Sequence, residues 1–171
     1  MLMDATRASL LIIDVQEKLY PACQEPEQTV ANCCFLVKCA NRLGVPVLVT
    51  EQYPKGLGHT APEILELVAQ NSDGTDGSNV ISKVAFSAVP ADGFIDKIEE
   101  NTGRDQVVVV GMETHVCVLQ TVMELIERGR EVYLVADAVT SRSMHDKIFA
   151  IERMRDAGAK IVTRESVMFE W

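Results

Sequence analysis

Three side chains of this 171-residue chain are of types that could do nucleophilic chemistry together: Cys117, Asp14 and Lys83. A thiol supplies the nucleophile, a carboxylate can take its proton, and an ammonium stabilises the anions that the transfer creates. Each follows a short apolar run: Asp14 after LLII, Lys83 after VIS, and Cys117 in the turn GMETHVC behind VVVV. With Thr114 as N-cap, Cys117 falls in the first turn of a helix, where unpaired amides and the helix dipole favour a thiolate and lower the thiol pKa. The same amides are candidates to hold an oxyanion. Read singly, each residue has an ordinary alternative: Cys117 a small buried hydrophobe, Asp14 a helix cap, Lys83 a solvated surface lysine.

The elements that must position them alternate in type. Ala8 to Ile13 (ASLLII) has the look of a strand buried on both faces. Val30, Cys33, Cys34 and Val37 repeat at helical spacing up to Gly44, and VPVLV (Val45 to Val49) is a second strand. A polar loop over 51–60 precedes a short helix marked by a Thr60/Glu63 capping box with Pro62 in its first turn. Asn71 to Ser78 is a further loop, then come a strand at Val80 and Ile81, a helix around Phe94 to Ile98, and the strand Val107 to Val110. A helix through Val118, Val122 and Leu125 closes near Gly129 and is followed by a strand over Val132 to Ala136. The last pair is a helix capped at Ser143 and ending near Gly158, then a strand over Lys160 to Thr163. Six strands with intervening helices predict an α/β fold, with a parallel sheet covered on both faces, in a single domain over 1–171. The ligand crevice of such sheets lies beyond the carboxyl ends of the strands, where Asp14, Lys83 and Cys117 all fall.

Composition narrows the function. A formal net charge of -9, from 25 acidic against 16 scattered basic residues, disfavours nucleic acid and anionic membranes as partners. Five cysteines without CxxC spacing read as reduced thiols of a cytoplasmic protein, and LLII is too short for a signal-peptide core or a membrane span. His59, His115 and His145 lie far apart without ligand spacing, so no metal is expected. The first strand runs into DVQEK rather than GxGxxG, which removes the phosphate loop of a dinucleotide binder, and no cofactor is expected.

The segments LLIIDVQ, TEQYPKGLG, SKVAFSA, VVVVGMETHVCVLQT and VADAVTSRS resemble, in order and spacing, the isochorismatase-like cysteine hydrolase superfamily. The likeness is to the branch lacking a nicotinamidase-type metal site, because Glu51, Gln52 and Tyr53 stand where metal-bearing members carry an aspartate and two histidines. The resemblance implies a three-layer α-β-α, Rossmann-like fold with six strands ordered 3-2-1-4-5-6. It implies Asp14 as acid/base, Lys83 as the cation between carboxylate and thiol, and Cys117 as nucleophile. It also implies a cis peptide between Met112 and Glu113, with the backbone amides of Glu113 and Cys117 forming an oxyanion hole. Gln16, Tyr20, Tyr53, Phe86 and His115 are expected as pocket walls, while Asp137, Ser141 and Arg142 are read as structural. The expected activity is hydrolysis of a small amide, imide or related C–N substrate through a covalent thioester, by a homo-oligomer. The alternative is a non-catalytic or redox-responsive binding protein with an oxidisable Cys117.

Overall fold

The computed structural model describes residues 2–70, 79–100 and 103–171; the loop read over Asn71 to Ser78 lies outside them. Six strands, β1 (Ala8–Ile13), β2 (Val47–Gln52), β3 (Val80–Lys83), β4 (Gln106–Met112), β5 (Glu131–Thr140) and β6 (Lys160–Val162), form one sheet. Their order is β3-β2-β1-β4-β5-β6, and every neighbouring pair is parallel.

Alternation along the central strands feeds two separate cores. Leu10 and Ile12 of β1 and Val108 and Val110 of β4 join one cluster, while Leu11, Ile13, Val107 and Val109 join the other. The first core is closed by α1 (Pro26–Leu43), α3 (Pro62–Val68) and α7 (Arg164–Glu170), the second by α4 (Phe94–Glu100), α5 (Leu119–Glu127) and α6 (Met144–Asp156). Apolar burial on both faces is why β1 and β4 read as unbroken apolar runs.

Some local expectations change. Thr60 does not cap α3: the N-cap is Ala61, without a side-chain hydrogen bond, and the Thr60 hydroxyl instead donates to Glu51. A buried carboxylate is the stronger acceptor, so it takes the hydroxyl that the pattern assigned to the helix. The 51–60 loop contains a short helix, α2 (Pro54–Leu57), and a helix not read from the sequence, α7, ends the chain. The strand read as ending at Ala136 continues to Thr140 after a register irregularity opposite Val109 and Gly111. Ser143 does cap α6, its hydroxyl accepting from the Asp146 amide.

Candidate active site

Asp14 is the first residue past β1, fully buried and in the left-handed region with φ 53°. Aspartate tolerates that conformation better than most residues, and such outliers persist only where their surroundings fix them. Here both oxygens are engaged: the Thr50 hydroxyl donates to Oδ1 at 2.7 Å, and Lys83 Nζ donates to Oδ2 at 2.7 Å. Lys83 closes β3, two strands from Asp14 in the sheet, with its side chain 1% exposed. Its ammonium also donates to Gln52 Oε1 at 2.8 Å, Phe86 O at 2.8 Å and Ala85 O at 3.3 Å. The two charges are thus paired and hydrogen-bonded, the condition for keeping them ionised out of water.

Cys117 arrives from the other side of β1, on a π-helical turn (Thr114–Val118) between β4 and α5. The N-cap is Glu113, one residue earlier than the sequence suggests: its carbonyl accepts from the Val116 and Val118 amides. The Met112–Glu113 peptide is cis. Gly111 has φ 121° and lies against β1, where an added Cβ would sit 2.1 Å from the Ile13 carbonyl oxygen. Only glycine lets β4 pass this close to the strand end that carries Asp14.

The thiol is buried, and burial pushes its pKa up to about 12. The Asp14 carboxylate acts in the same direction through its charge and by hydrogen bonding, while Lys83 opposes it. This reverses the lowering expected from a helix N-terminus, because desolvation and the neighbouring carboxylate outweigh the helix dipole. Burial and the Asp14 carboxylate thus favour the neutral thiol at Cys117.

The surroundings are braced by groups that the sequence did not single out. Thr121, one helical turn beyond Cys117, donates its hydroxyl to the Cys117 carbonyl at 2.7 Å and accepts from the Ala88 amide at 3.0 Å. Thr50 and Gln52, at the end of β2, complete the partners of Asp14 and Lys83. Glu113 turns its carboxylate to Arg142, which donates from its backbone amide, Nε and Nη2. Burial opposes ionisation of Glu113, but these bonds hold its carboxyl below the ordinary value.

The expected pocket walls separate. Tyr53, Pro54, Val84, Ala85, Pro90 and Ala91 line a cleft of about 580 Å³, and Lys83 is common to this cleft and the Asp14, Lys83, Cys117 trio. Phe86 gives its carbonyl to Lys83, and the residue as a whole is 54% exposed. Gln16 is fully buried, its amide bonded to the backbone of Gln52 and to Gly58 O. Tyr20 packs on the α1 side of the sheet. His115 meets Ser141 Oγ at 3.0 Å and Asp146 at 3.8 Å. Glu51 is buried and bonded to Thr60 and His59, and among the described residues no group of three or more His, Cys, Asp or Glu is placed to hold a metal.

Comparison with known proteins agrees with this architecture. The isochorismatase domain matches residues 8–166. Isochorismatase domain-containing protein 2A of Mus musculus is 40% identical over 94% of this chain and 73% of its own length. The MAR1 ribonuclease of Caenorhabditis elegans superposes with a TM-score of 0.87 at 36% identity, covering 99% of this chain and 83% of that one. YcaC of Pseudomonas aeruginosa, solved with hexane-2,5-diol and covalent acrylamide, gives 0.90 at 25% identity, covering 99% and 82%. A match over nearly the whole length, on a sheet of the same order, places the chain in the isochorismatase family of hydrolases.

Proposed function

We propose that this chain is a cysteine hydrolase that cleaves a small amide, imide or related C–N substrate through a thioester on Cys117. The observation that carries the reading is the buried Asp14–Lys83 pair, at 2.7 Å, acting directly on a buried thiol. A neutral thiol is a weak nucleophile, so the Asp14 carboxylate takes its proton as the Cys117 Sγ–C bond forms at the substrate carbonyl. The oxyanion is received by the backbone amides of Glu113 and Cys117. Protonated Asp14 then gives its proton to the leaving nitrogen as the C–N bond breaks. Water, deprotonated by Asp14, attacks the thioester, and the acid product leaves as Sγ recovers the proton. Lys83 stays charged throughout and stabilises first the carboxylate, then the sulfur. That YcaC has been crystallised with covalent acrylamide, a small primary amide and a thiol electrophile, supports a reactive group in this fold.

Two other readings are weaker. A redox-responsive binding protein needs a thiol that ionises readily, and burial acts against that here. The ribonuclease name of the C. elegans protein raises RNA as a substrate, but a net charge of -9 repels a polyphosphate. Homo-oligomerisation is supported by the exposed Met144, Ile148 and Phe149 on α6.

The test is Cys117→Ala assayed against a panel of small amides and imides, with RNA included. The parent should turn over at least one C–N substrate and show an acyl mass increment on the Cys117 peptide, and the alanine variant should lose both. An alanine variant that works at the parent rate ends the thioester scheme.

A further inference from the structure

Gln52 is the last residue of β2, and its neighbour Glu51 points to the opposite side of that strand. The two side chains have separate destinations. The Glu51 carboxylate accepts from the Thr60 amide at 2.7 Å and the Thr60 hydroxyl at 2.9 Å, away from Lys83. The Gln52 amide accepts from Lys83 Nζ at 2.8 Å and donates to the Val84 carbonyl at 2.7 Å. An ammonium only donates and a carbonyl only accepts, so both ends of the Gln52 amide have one permitted orientation. Its backbone is held as well: Gln16, fully buried, donates to Gln52 O at 2.9 Å and accepts from Gln52 N at 2.7 Å.

Lys83 is therefore fixed by three uncharged acceptors, Gln52 Oε1, Phe86 O and Ala85 O, and by one charged one, Asp14. A neutral oxygen holds an ammonium in place without cancelling its charge. A second carboxylate at the same point would hold it equally well and neutralise it. We infer that Gln52 is a positioning residue for the reaction: it fixes Lys83 against Asp14 without adding a second negative charge, so that the ammonium can still act on the sulfur. The inference rests on the reading of Cys117 as nucleophile, and it explains why an amide, not a carboxylate, stands at this one point of β2.

The test compares Gln52→Glu, nearly the same shape with a charge, with Gln52→Met, similar in size without polarity. The first readout is the rate of Cys117 alkylation by iodoacetamide at pH 8 on intact folded protein, followed on the Cys117 peptide by mass spectrometry; it needs no substrate. Gln52→Glu should slow that alkylation about tenfold, the equivalent of roughly one unit in the thiol pKa, whereas Gln52→Met should change it far less. With a C–N substrate in hand, Gln52→Glu should lower kcat on the order of 10²-fold with KM nearly unchanged. A Gln52→Glu protein with the parent alkylation rate overturns the inference, as do Glu and Met variants that lose kcat equally with that rate unchanged, the mark of a purely structural role. Should Gln52→Glu fail to fold, a Gln52→Met protein with parent kcat overturns it too. Absence of hydrolysis in every variant defeats the thioester reading, while the alkylation series still decides on Gln52.

Discussion

At the scale of single residues, the site separates two properties often assumed to go together, nucleophilicity and acidity. In the proposed scheme Asp14 is the base for Cys117, and its carboxylate is also one reason the thiol holds its proton so tightly. Replacing Asp14 by Asn should therefore divide the two. Alkylation of Cys117 at pH 8 should rise by about tenfold or more as the thiol pKa falls, while kcat/KM for hydrolysis drops by roughly 10³-fold. Slower alkylation in the Asn variant would show that the carboxylate does not restrain the thiol. Lys83 would then be a buried charge without a carboxylate, which costs about 3–5 kcal/mol, so the comparison is made on protein shown to be folded by circular dichroism. That Asp14, Lys83 and Cys117 fall at the carboxyl ends of strands was legible from the apolar runs before them. Thr50, Gln52 and Thr121 were not, since a hydroxyl or amide in a sequence carries no sign of its partner until the strands are ordered. The direction of the thiol shift was misread for a related reason. The helix start is local and visible, whereas the depth of burial belongs to the assembled fold.

At the scale of elements, the spacing of β1 against β4 decides whether the site can form. Gly111→Ala would drive a Cβ into the Ile13 backbone, at 2.1 Å from its oxygen, and impose φ 121° on alanine. Backbone cannot rotate away as a side chain can, so the expected loss is about 3 kcal/mol or more, with activity reduced even in the folded fraction. Gly129→Ala is the control: its φ is 77°, but nothing lies within 4 Å of the added Cβ, so it should cost only about 1–2 kcal/mol from strain. Denaturant midpoints compare the two, and equal losses would show that the contact between strands is not the cause. The apolar runs made β1 and β4 plain in the sequence, but the close approach was not. A glycine after VVVV reads as a strand breaker, and Gly111 in fact lies inside β4. In the sequence β5 reads as ending at Ala136 because Asp137 interrupts its apolar run, although the strand resumes beyond the irregularity and reaches Thr140 opposite Met112.

At the scale of the whole molecule, the cysteines link stability to pH. Burial raises Cys23 to about 11 and Cys117 to about 12, and moves Cys33, Cys34 and Cys39 upward as well. An unfolded thiol loses its proton near pH 8.5, so above that point the unfolded chain binds fewer protons than the native one and stability must fall as pH rises. Lys147, whose amine is pushed down by burial, works the other way but is a single group against five. Urea midpoints should hold steady between pH 7 and about 8, then decline steadily toward pH 10.5. A flat profile across that range would mean the thiols ionise in the native state at their ordinary values. The strand order has its own outcome for a chain emerging from the ribosome. Asp14 and Lys83 lie on the same half of the sheet, β3-β2-β1, and both are synthesised before Cys117, which joins them only when β4 docks on the far side of β1. The carboxylate and the ammonium can thus be in place before the sulfur arrives, and a nascent chain that lacks β4 carries no assembled site. The three side chains come together only at that docking step, so on the proposed scheme a chain that hydrolyses substrate has at least β1 to β4 in place.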